Sequence, residues 1–109
     1  MRLYIAVLDK FPDYMTPTLV AHTMLGAHIN FKGCKEYDDW LNNSFKKCVV
    51  KVNQKEFDKI VHLGTTYVGN EKHTLEGKAS CAIPYPVDND KLPNVLKFAK
   101  LWKPNAIIY

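Results

Sequence analysis

The chain lacks the features that define several large protein classes. Its 109 residues contain no apolar run approaching the roughly 20 residues that span a bilayer, and no block of like charge. The opening residues, Met1 to Leu8, are apolar but show no small-residue cleavage site, and Asp9 and Lys10 follow at once. We therefore expect a cytoplasmic protein that makes no contact with a membrane.

Cysteine and glycine are also scarce. The cysteines, Cys34, Cys48 and Cys81, are widely spaced without a Cys-x-x-Cys pair, which argues against both a disulfide framework and a zinc site. The glycines form neither a G-x-S-x-G element nor a pattern that cradles phosphates. Hydrolase elbows, P-loops and dinucleotide folds are thereby excluded, and we predict free thiols and no bound metal.

What is present is the composition of one folded domain. A 47% apolar and 24% charged chain can bury a core and is far from the composition of disordered proteins. Lysine and arginine exceed aspartate and glutamate by 15 to 11, which favours partners that carry phosphate. We predict a single domain over residues 1–109, with residues 103–109 as a C-terminal tail.

Strand and helix patterns alternate along the chain. The apolar run Leu3–Leu8 predicts a buried strand, and Thr16 with Pro17 starts a helix that reaches Phe31. Further patterns predict, in order, a helix over 36–43, a strand over 46–52, a helix over 54–63, strands over 65–68 and 78–83, and a last helix capped by Asp88 or Asp90 and reaching Trp102. This order, β-α-α-β-α-β-β-α, predicts an α/β domain with a mixed four-stranded sheet flanked by helices.

The first long helix has a broad apolar stripe. Five residues at helical spacing predict its core-facing side: Val20, Ala21, Met24, Leu25 and Ala27. Gly26 costs about 1 kcal/mol relative to alanine inside a helix, so its presence predicts a close approach by a neighbouring element.

Histidines and lysines are the side chains that best fit binding chemistry. His22 and His28 are six residues apart, which is not the spacing of a zinc pair, and both also fit a structural role. His73 lies in the polar stretch 69–77, where binding groups tend to collect. A series of lysines predicts either a basic stripe for phosphates or a solvated charged face: Lys46, Lys47, Lys51, Lys55, Lys59, Lys97, Lys100 and Lys103.

The order of elements and several motifs resemble the type 2 peptidyl-tRNA hydrolases. The likeness runs from Arg2 to about Trp102, through VAHTMLGAH in the first helix, YDDWL, KKCVVKV and the closing ASCAIPYPVDNDKL. The resemblance implies a mixed four-stranded sheet flanked by helices and a basic surface that binds the acceptor end of tRNA. It also implies cleavage of the ester between peptide and tRNA, without metal or cofactor.

Most of the catalytic residues of that family are not matched. The family lysine at the start of the first helix corresponds to Met15 or Thr16, and the family glutamine corresponds to Leu19. Of the family's Asp-Ala-Gly and threonine signature after the third strand, only Gly69 agrees. Hydrolysis is therefore not the function we expect first.

We expect a small basic protein that binds a nucleotide or tRNA-type phosphate ligand, by analogy with virus-encoded proteins that sequester nucleotide signals. Its candidate ligand contacts are Lys10, Thr16, Tyr67, Lys72, His73, Lys78 and Tyr85, of which the tyrosines offer stacking surfaces. One alternative is an active peptidyl-tRNA hydrolase in which His22, Glu71 and Thr74 are catalytic. Another is a protein-interaction module, or a homodimer, that uses the apolar residues 106–109.

Overall fold

The most apolar run in the sequence forms the central strand. A computed structural model of the chain describes residues 1–71 and 78–104, and in it β1 spans Leu3–Leu8, as predicted. Five of its six residues are buried, because helices cover both faces of the strand.

Four more strands complete the sheet. They are β2, Lys47–Val52; β3, Thr66–Glu71; β4, Lys78–Pro84; and β5, Lys100–Leu101. The strand order is β3-β4-β1-β2-β5, in which β1 and β2 are parallel and the other neighbours are antiparallel. The sheet is therefore mixed, and the predicted hairpin of β3 and β4 is confirmed.

The helices are α1, Thr16–Phe31; α2, Lys35–Asp39; α3, Gln54–Val61; and α4, Asn94–Lys97. The helix predicted over 36–43 is divided, because a π-helical turn, Trp40–Ser44, follows α2. Within the two described ranges, no helix is long and apolar enough to cross a membrane.

The predicted last helix and the strand count were both wrong. Neither Asp88 nor Asp90 caps a long helix, since only a 3-10 turn, Asn89–Lys91, forms there. Leu92 is extended because it precedes Pro93, which disfavours helical geometry in the residue before it. The following α4 has four residues, and the chain then pairs with the edge of β2, so the sheet has five strands and not four.

The core has two layers, one on each face of the sheet. On one face α1 packs through Leu19, Thr23, Ala27 and Phe31, all of which are buried. On the other face α3 and α4 pack through Phe57, Ile60 and Leu96.

The predicted stripe on α1 was right in part. Ala27 is buried, and Val20 and Met24 are partly buried against the core, but Leu25 is 64% exposed and Ala21 is also exposed. Thr23 replaces an apolar residue at the centre of the buried face, and its hydroxyl donates a hydrogen bond to the Leu19 carbonyl. An apolar pattern alone therefore extended the core-facing side too far, to Ala21 and Leu25. The three cysteines are unpaired, as predicted.

Candidate functional site

Helix α1 and strand β3 cross at very close range because both carry a glycine at the crossing. A β-carbon at Gly26 would overlap the phenol of Tyr67, and one at Gly69 would overlap the hydroxyl of Thr23. The close approach predicted from Gly26 is therefore confirmed, and β3 is the element that makes it. The crossing holds the Tyr67 ring against the side of α1.

A small crevice lies at this crossing. We call it the α1–β3 crevice; its volume is about 40 Å³, and it is lined by Leu19, His22, Thr23, Tyr67, Gly69, Asn70 and Ser80. His22 and Asn70 are exposed, whereas Thr23 and Ser80 are buried beneath them. The volume is sufficient for about three water molecules or one small polar group.

The hydrogen bonds of the crevice define what it offers to a ligand. The Thr23 hydroxyl donates to the Leu19 carbonyl at 2.8 Å, and the Ser80 hydroxyl donates to the Gly69 carbonyl at 3.3 Å. Since both hydroxyl protons are engaged, these oxygens can act toward a ligand as acceptors only. The lining also contains the side chains of Asn70 and His22, whose amide and imidazole carry N–H groups.

Tyr67 also lines a second, larger depression. This Tyr85 recess has a volume of about 350 Å³ and is lined by Asn30, Phe31, Cys34, Thr65, Thr66, Tyr67 and Tyr85. The rings of Phe31 and Tyr85 meet edge to face, with their centroids 5.3 Å apart. The two tyrosines predicted as stacking surfaces therefore line the same recess.

The hydroxyl of Tyr85 is committed to the first turn of α2. It donates to the Glu36 carboxylate at 2.8 Å and accepts from the backbone N–H of Glu36 at 3.1 Å. The hydrogen bond from Tyr85 is the main cause that lowers the pKa of Glu36, while burial is the main cause that raises the pKa of Tyr85. A ligand in the recess would meet the ring of Tyr85 and not an unengaged phenol.

Two other predicted contacts lie away from the crossing. Lys10 follows β1. Its ammonium group donates a hydrogen bond to the side-chain carbonyl of Gln54 at the start of α3, with 3.3 Å between Nζ and Oε1. Thr16 is buried as the first residue of α1. Neither residue lines the α1–β3 crevice or the Tyr85 recess.

Of the remaining predicted residues, Glu71 ends β3 and Lys78 begins β4. Glu71 and Lys78 face each other in the backbone pairing, one residue beyond the pair of Asn70 with Ala79. Lys72, His73 and Thr74 lie outside the described residues. Asn70 thus links the crevice to the segment of the chain that carries these candidates.

Part of the predicted lysine series converges at β5. Antiparallel pairing sets Lys51 opposite Lys100, and the Lys51 ammonium donates to the Asp13 carboxylate at 3.3 Å and to the Lys103 carbonyl at 3.1 Å. A recess of about 420 Å³ there is lined by Asp9, Lys51, Asn53, Glu56, Phe98, Lys100, Leu101 and Lys103. Lys100 and Lys103 are predicted from the sequence to lie on the last helix, so their meeting with β2 was missed. The carboxylates around this β2–β5 recess offset the lysines, and it is therefore a weak anion site.

The described residues hold no cluster of three or more histidine, cysteine or acidic side chains that could bind a metal ion. No protein-family model matches the chain, and the comparison with curated proteins gives no match either.

Proposed function

We propose that the protein binds a nucleotide or a tRNA-type phosphate ligand at the α1–β3 crevice and does not hydrolyse it. The observation that carries this proposal is that one crevice is lined by His22, Tyr67 and Asn70, the last of which lies one residue before the end of β3. Of these, Tyr67 is a ligand contact predicted from the sequence, and His22 is a predicted catalytic residue of the hydrolase alternative.

The chemistry of the crevice favours an anionic group. Its described lining contains N–H donors from His22 and Asn70 and no carboxylate, so an anion there meets no like charge. The net charge of +4 attracts phosphate over a longer range. Because the crevice holds only about 40 Å³, it would take one phosphate group, with the rest of the ligand outside it.

The rest of the ligand would find an aromatic surface beside the crevice. The Tyr67 ring is part of both the crevice and the Tyr85 recess, whose 350 Å³ is of the size that small-molecule sites have. Stacking of a base on a tyrosine ring contributes about 1–3 kcal/mol and tolerates any base. A nucleotide could thus place its phosphate by His22 and its base against Tyr67.

The same geometry favours binding over hydrolysis. Ester cleavage requires a base that activates water and a donor that stabilises the oxyanion, both within reach of one carbonyl. In the described lining, His22 is the one base at the surface and the Asn70 amide is a donor, whereas the hydroxyls of Thr23 and Ser80 donate to backbone carbonyls and supply neither a nucleophile nor a further donor. Of the acidic and hydroxyl candidates, Glu71 ends β3 and Thr74 lies outside the described residues.

Binding is tested by fluorescence anisotropy with a labelled single-stranded oligonucleotide that ends in CCA. His22→Ala should weaken binding about tenfold, the loss expected when one hydrogen bond to a charged group is removed. The matched control is His62→Ala, since His62 is also exposed but lies after α3, where its ring contacts the Asp58 carbonyl. Equal affinities of wild type and His22→Ala would overturn the proposed site.

Catalysis is tested separately with an N-blocked aminoacyl-tRNA. We expect no release of the blocked amino acid above the protein-free rate, even when protein and tRNA are equimolar. Release that disappears in His22→Ala would replace the binding proposal with an active hydrolase whose base is His22.

A further inference from the structure

The strand β4 contains a bulge beside the α1–β3 crevice. Gly69 of β3 pairs with Cys81, and the next residue, Asn70, pairs with Ala79, so the pairing skips Ser80. A β-bulge of this kind leaves one residue without a partner in the ladder and redirects its side chain, and such bulges are frequent beside functional sites. Ser80 is the residue that this bulge sets apart.

The bulge turns Ser80 toward α1. Cys81 packs in the core layer that includes Ala27 and Phe31 of α1, and Ser80 lines the crevice beside the same helix. In a regular strand, neighbouring side chains point to opposite faces, so only one of these two could face α1. The bulge thus brings the Ser80 hydroxyl beneath the mouth of the crevice, where Ser80 is 2% exposed.

The floor of the crevice offers hydrogen-bond acceptors to a ligand. The hydroxyl protons of Thr23 and Ser80 are both donated to backbone carbonyls, which leaves oxygen lone pairs for other partners. Thr23 also shares a hydrogen bond with the Cys81 thiol, so Ser80 has the greater remaining capacity to accept. A ligand group that reaches the floor must therefore bring its own proton.

This requirement separates the polar groups of a nucleotide. An ionised phosphate oxygen carries no proton and would meet lone pairs at the floor, so the phosphate is better placed at the mouth, beside His22 and Asn70. A ribose 2′-hydroxyl is a donor as well as an acceptor, and it lies next to the phosphate along the chain of a nucleic acid. A crevice of about 40 Å³ has room for a group of the size of a hydroxyl below that phosphate.

We propose that the crevice selects ribonucleotides over deoxyribonucleotides, with Ser80 Oγ accepting a hydrogen bond from a ribose 2′-hydroxyl. This inference rests on the proposed function, since it assumes a nucleotide whose phosphate lies at the α1–β3 crevice. It adds a specificity-determining residue that the sequence did not indicate, because the skipped position in β4 is visible only in the pairing of the strands. A deoxyribose would place a methylene group against the Ser80 oxygen and would form no hydrogen bond with it.

The test measures fluorescence anisotropy with labelled single strands of one sequence that ends in CCA, made as RNA, as 2′-fluoro RNA and as DNA. The 2′-fluoro sugar keeps the pucker of ribose but has no proton to donate. RNA should bind the wild-type protein about fivefold more tightly than either of the other strands, which is the effect of one hydrogen bond between neutral groups. Equal binding of RNA and 2′-fluoro RNA by the wild type would overturn the proposal without the use of any variant.

A matched pair of serine variants locates the contact. Ser80→Ala should reduce the preference for RNA to less than about twofold and leave the affinity for DNA nearly unchanged. Ser44→Ala is the control, because the Ser44 hydroxyl also donates to a backbone carbonyl, that of Met1, but lies in the π-helical turn and outside the crevice. That control should keep the full preference. A preference for RNA that persists in Ser80→Ala would overturn the assignment to Ser80.

The same titrations distinguish a failure of this inference from a failure of the proposed function. If His22→Ala weakens the binding of all strands while the wild type binds them equally, the site stands and the selection of ribose is excluded. If no strand binds, or if His22→Ala binds as tightly as wild type, the proposed function fails and the inference fails with it.

Discussion

At the scale of single residues, the crossing of α1 and β3 depends on the missing side chain of Gly69. Gly69→Ala would place a β-carbon against the hydroxyl and Cβ of Thr23, a buried β-branched residue that has little freedom to move. We expect the free energy of unfolding to fall by about 1–3 kcal/mol, the usual cost of overpacking. Urea denaturation measures this change.

Thr23 provides the control for that prediction. In the double variant Gly69→Ala with Thr23→Ala, the overlapping hydroxyl is absent, so the two losses should not add. Fully additive losses would show that the alanine destabilises through the backbone and not through contact with Thr23.

A second prediction for a single residue concerns the buried thiol of Cys81. Burial raises the pKa of Cys81 to about 12, from an ordinary value near 9. The pKa of this thiol is higher in the folded protein than in the unfolded chain. Its contribution to the free energy of unfolding is therefore complete below about pH 9 and is lost as pH rises toward 12. Between pH 8 and pH 10 the loss from this thiol should be about 1.4 kcal/mol.

Urea midpoints at the two pH values for wild type and Cys81→Ala check this prediction. The variant is expected to lose less stability than wild type between them, since it has no thiol to ionise at that position. A thiol reagent at pH 8 gives a second measure, in which exposed Cys34 reacts in the folded protein and Cys81 reacts only on unfolding. Equal pH dependence of both proteins would contradict the prediction.

At the scale of elements, α3 shows how a local signal fixes a boundary. Asn53 accepts from the Glu56 N–H at 2.8 Å while the Glu56 carboxylate accepts from the Asn53 N–H at 3.0 Å, a complete capping box. Asn53→Ala should lower the free energy of unfolding by about 1 kcal/mol. Asn42→Ala, at an exposed position in the π-helical turn, should change it by less than about 0.5 kcal/mol. Thermal unfolding of the two variants checks this, and equal effects would show that the cap contributes nothing particular.

The elements that the sequence predicted correctly are those with local causes. The strand Leu3–Leu8, the helix Thr16–Phe31 and the pairing of β3 with β4 follow from an apolar run, from Pro17 in the first turn of the helix and from short strand patterns, all of which act within a few positions. The last helix failed because Pro93 breaks the periodic pattern, and β5 is two residues long and exists through pairing with β2. A strand of that length has no pattern of its own to detect.

At the scale of the whole molecule, the candidate site also divides into what local sequence predicts and what depends on contacts between distant elements. His22 and Tyr67 were chosen by residue type, and their meeting depends on the Gly26 and Gly69 contacts between elements far apart in sequence. Asn70 was missed because the strand was predicted to end at residue 68, which placed Asn70 in the polar stretch 69–77 and not at the crossing. Leu25 was assigned to the core on the strength of its apolar character alone, although it is exposed.

The net charge of +4 leads to a prediction about ligand binding by the entire protein. If three phosphates of a single-stranded oligonucleotide are neutralised, affinity should fall about twentyfold between 50 and 200 mM salt, since the logarithm of the binding constant changes by about 0.7 per phosphate for each tenfold change in salt. Anisotropy at four salt concentrations gives this slope.

Two comparisons make the slope informative. An uncharged morpholino of the same sequence should bind more weakly and with no salt dependence, because it has no phosphates to release counterions. The double variant Lys100→Glu with Lys103→Glu reverses two charges at the β2–β5 recess. Since the proposed ligand lies at the α1–β3 crevice, that variant should retain most of the wild-type slope. If the slope of the double variant fell to that of the morpholino, the phosphate contacts would have to lie at β5. If the wild-type protein showed no salt dependence, phosphate would be excluded as the recognised group.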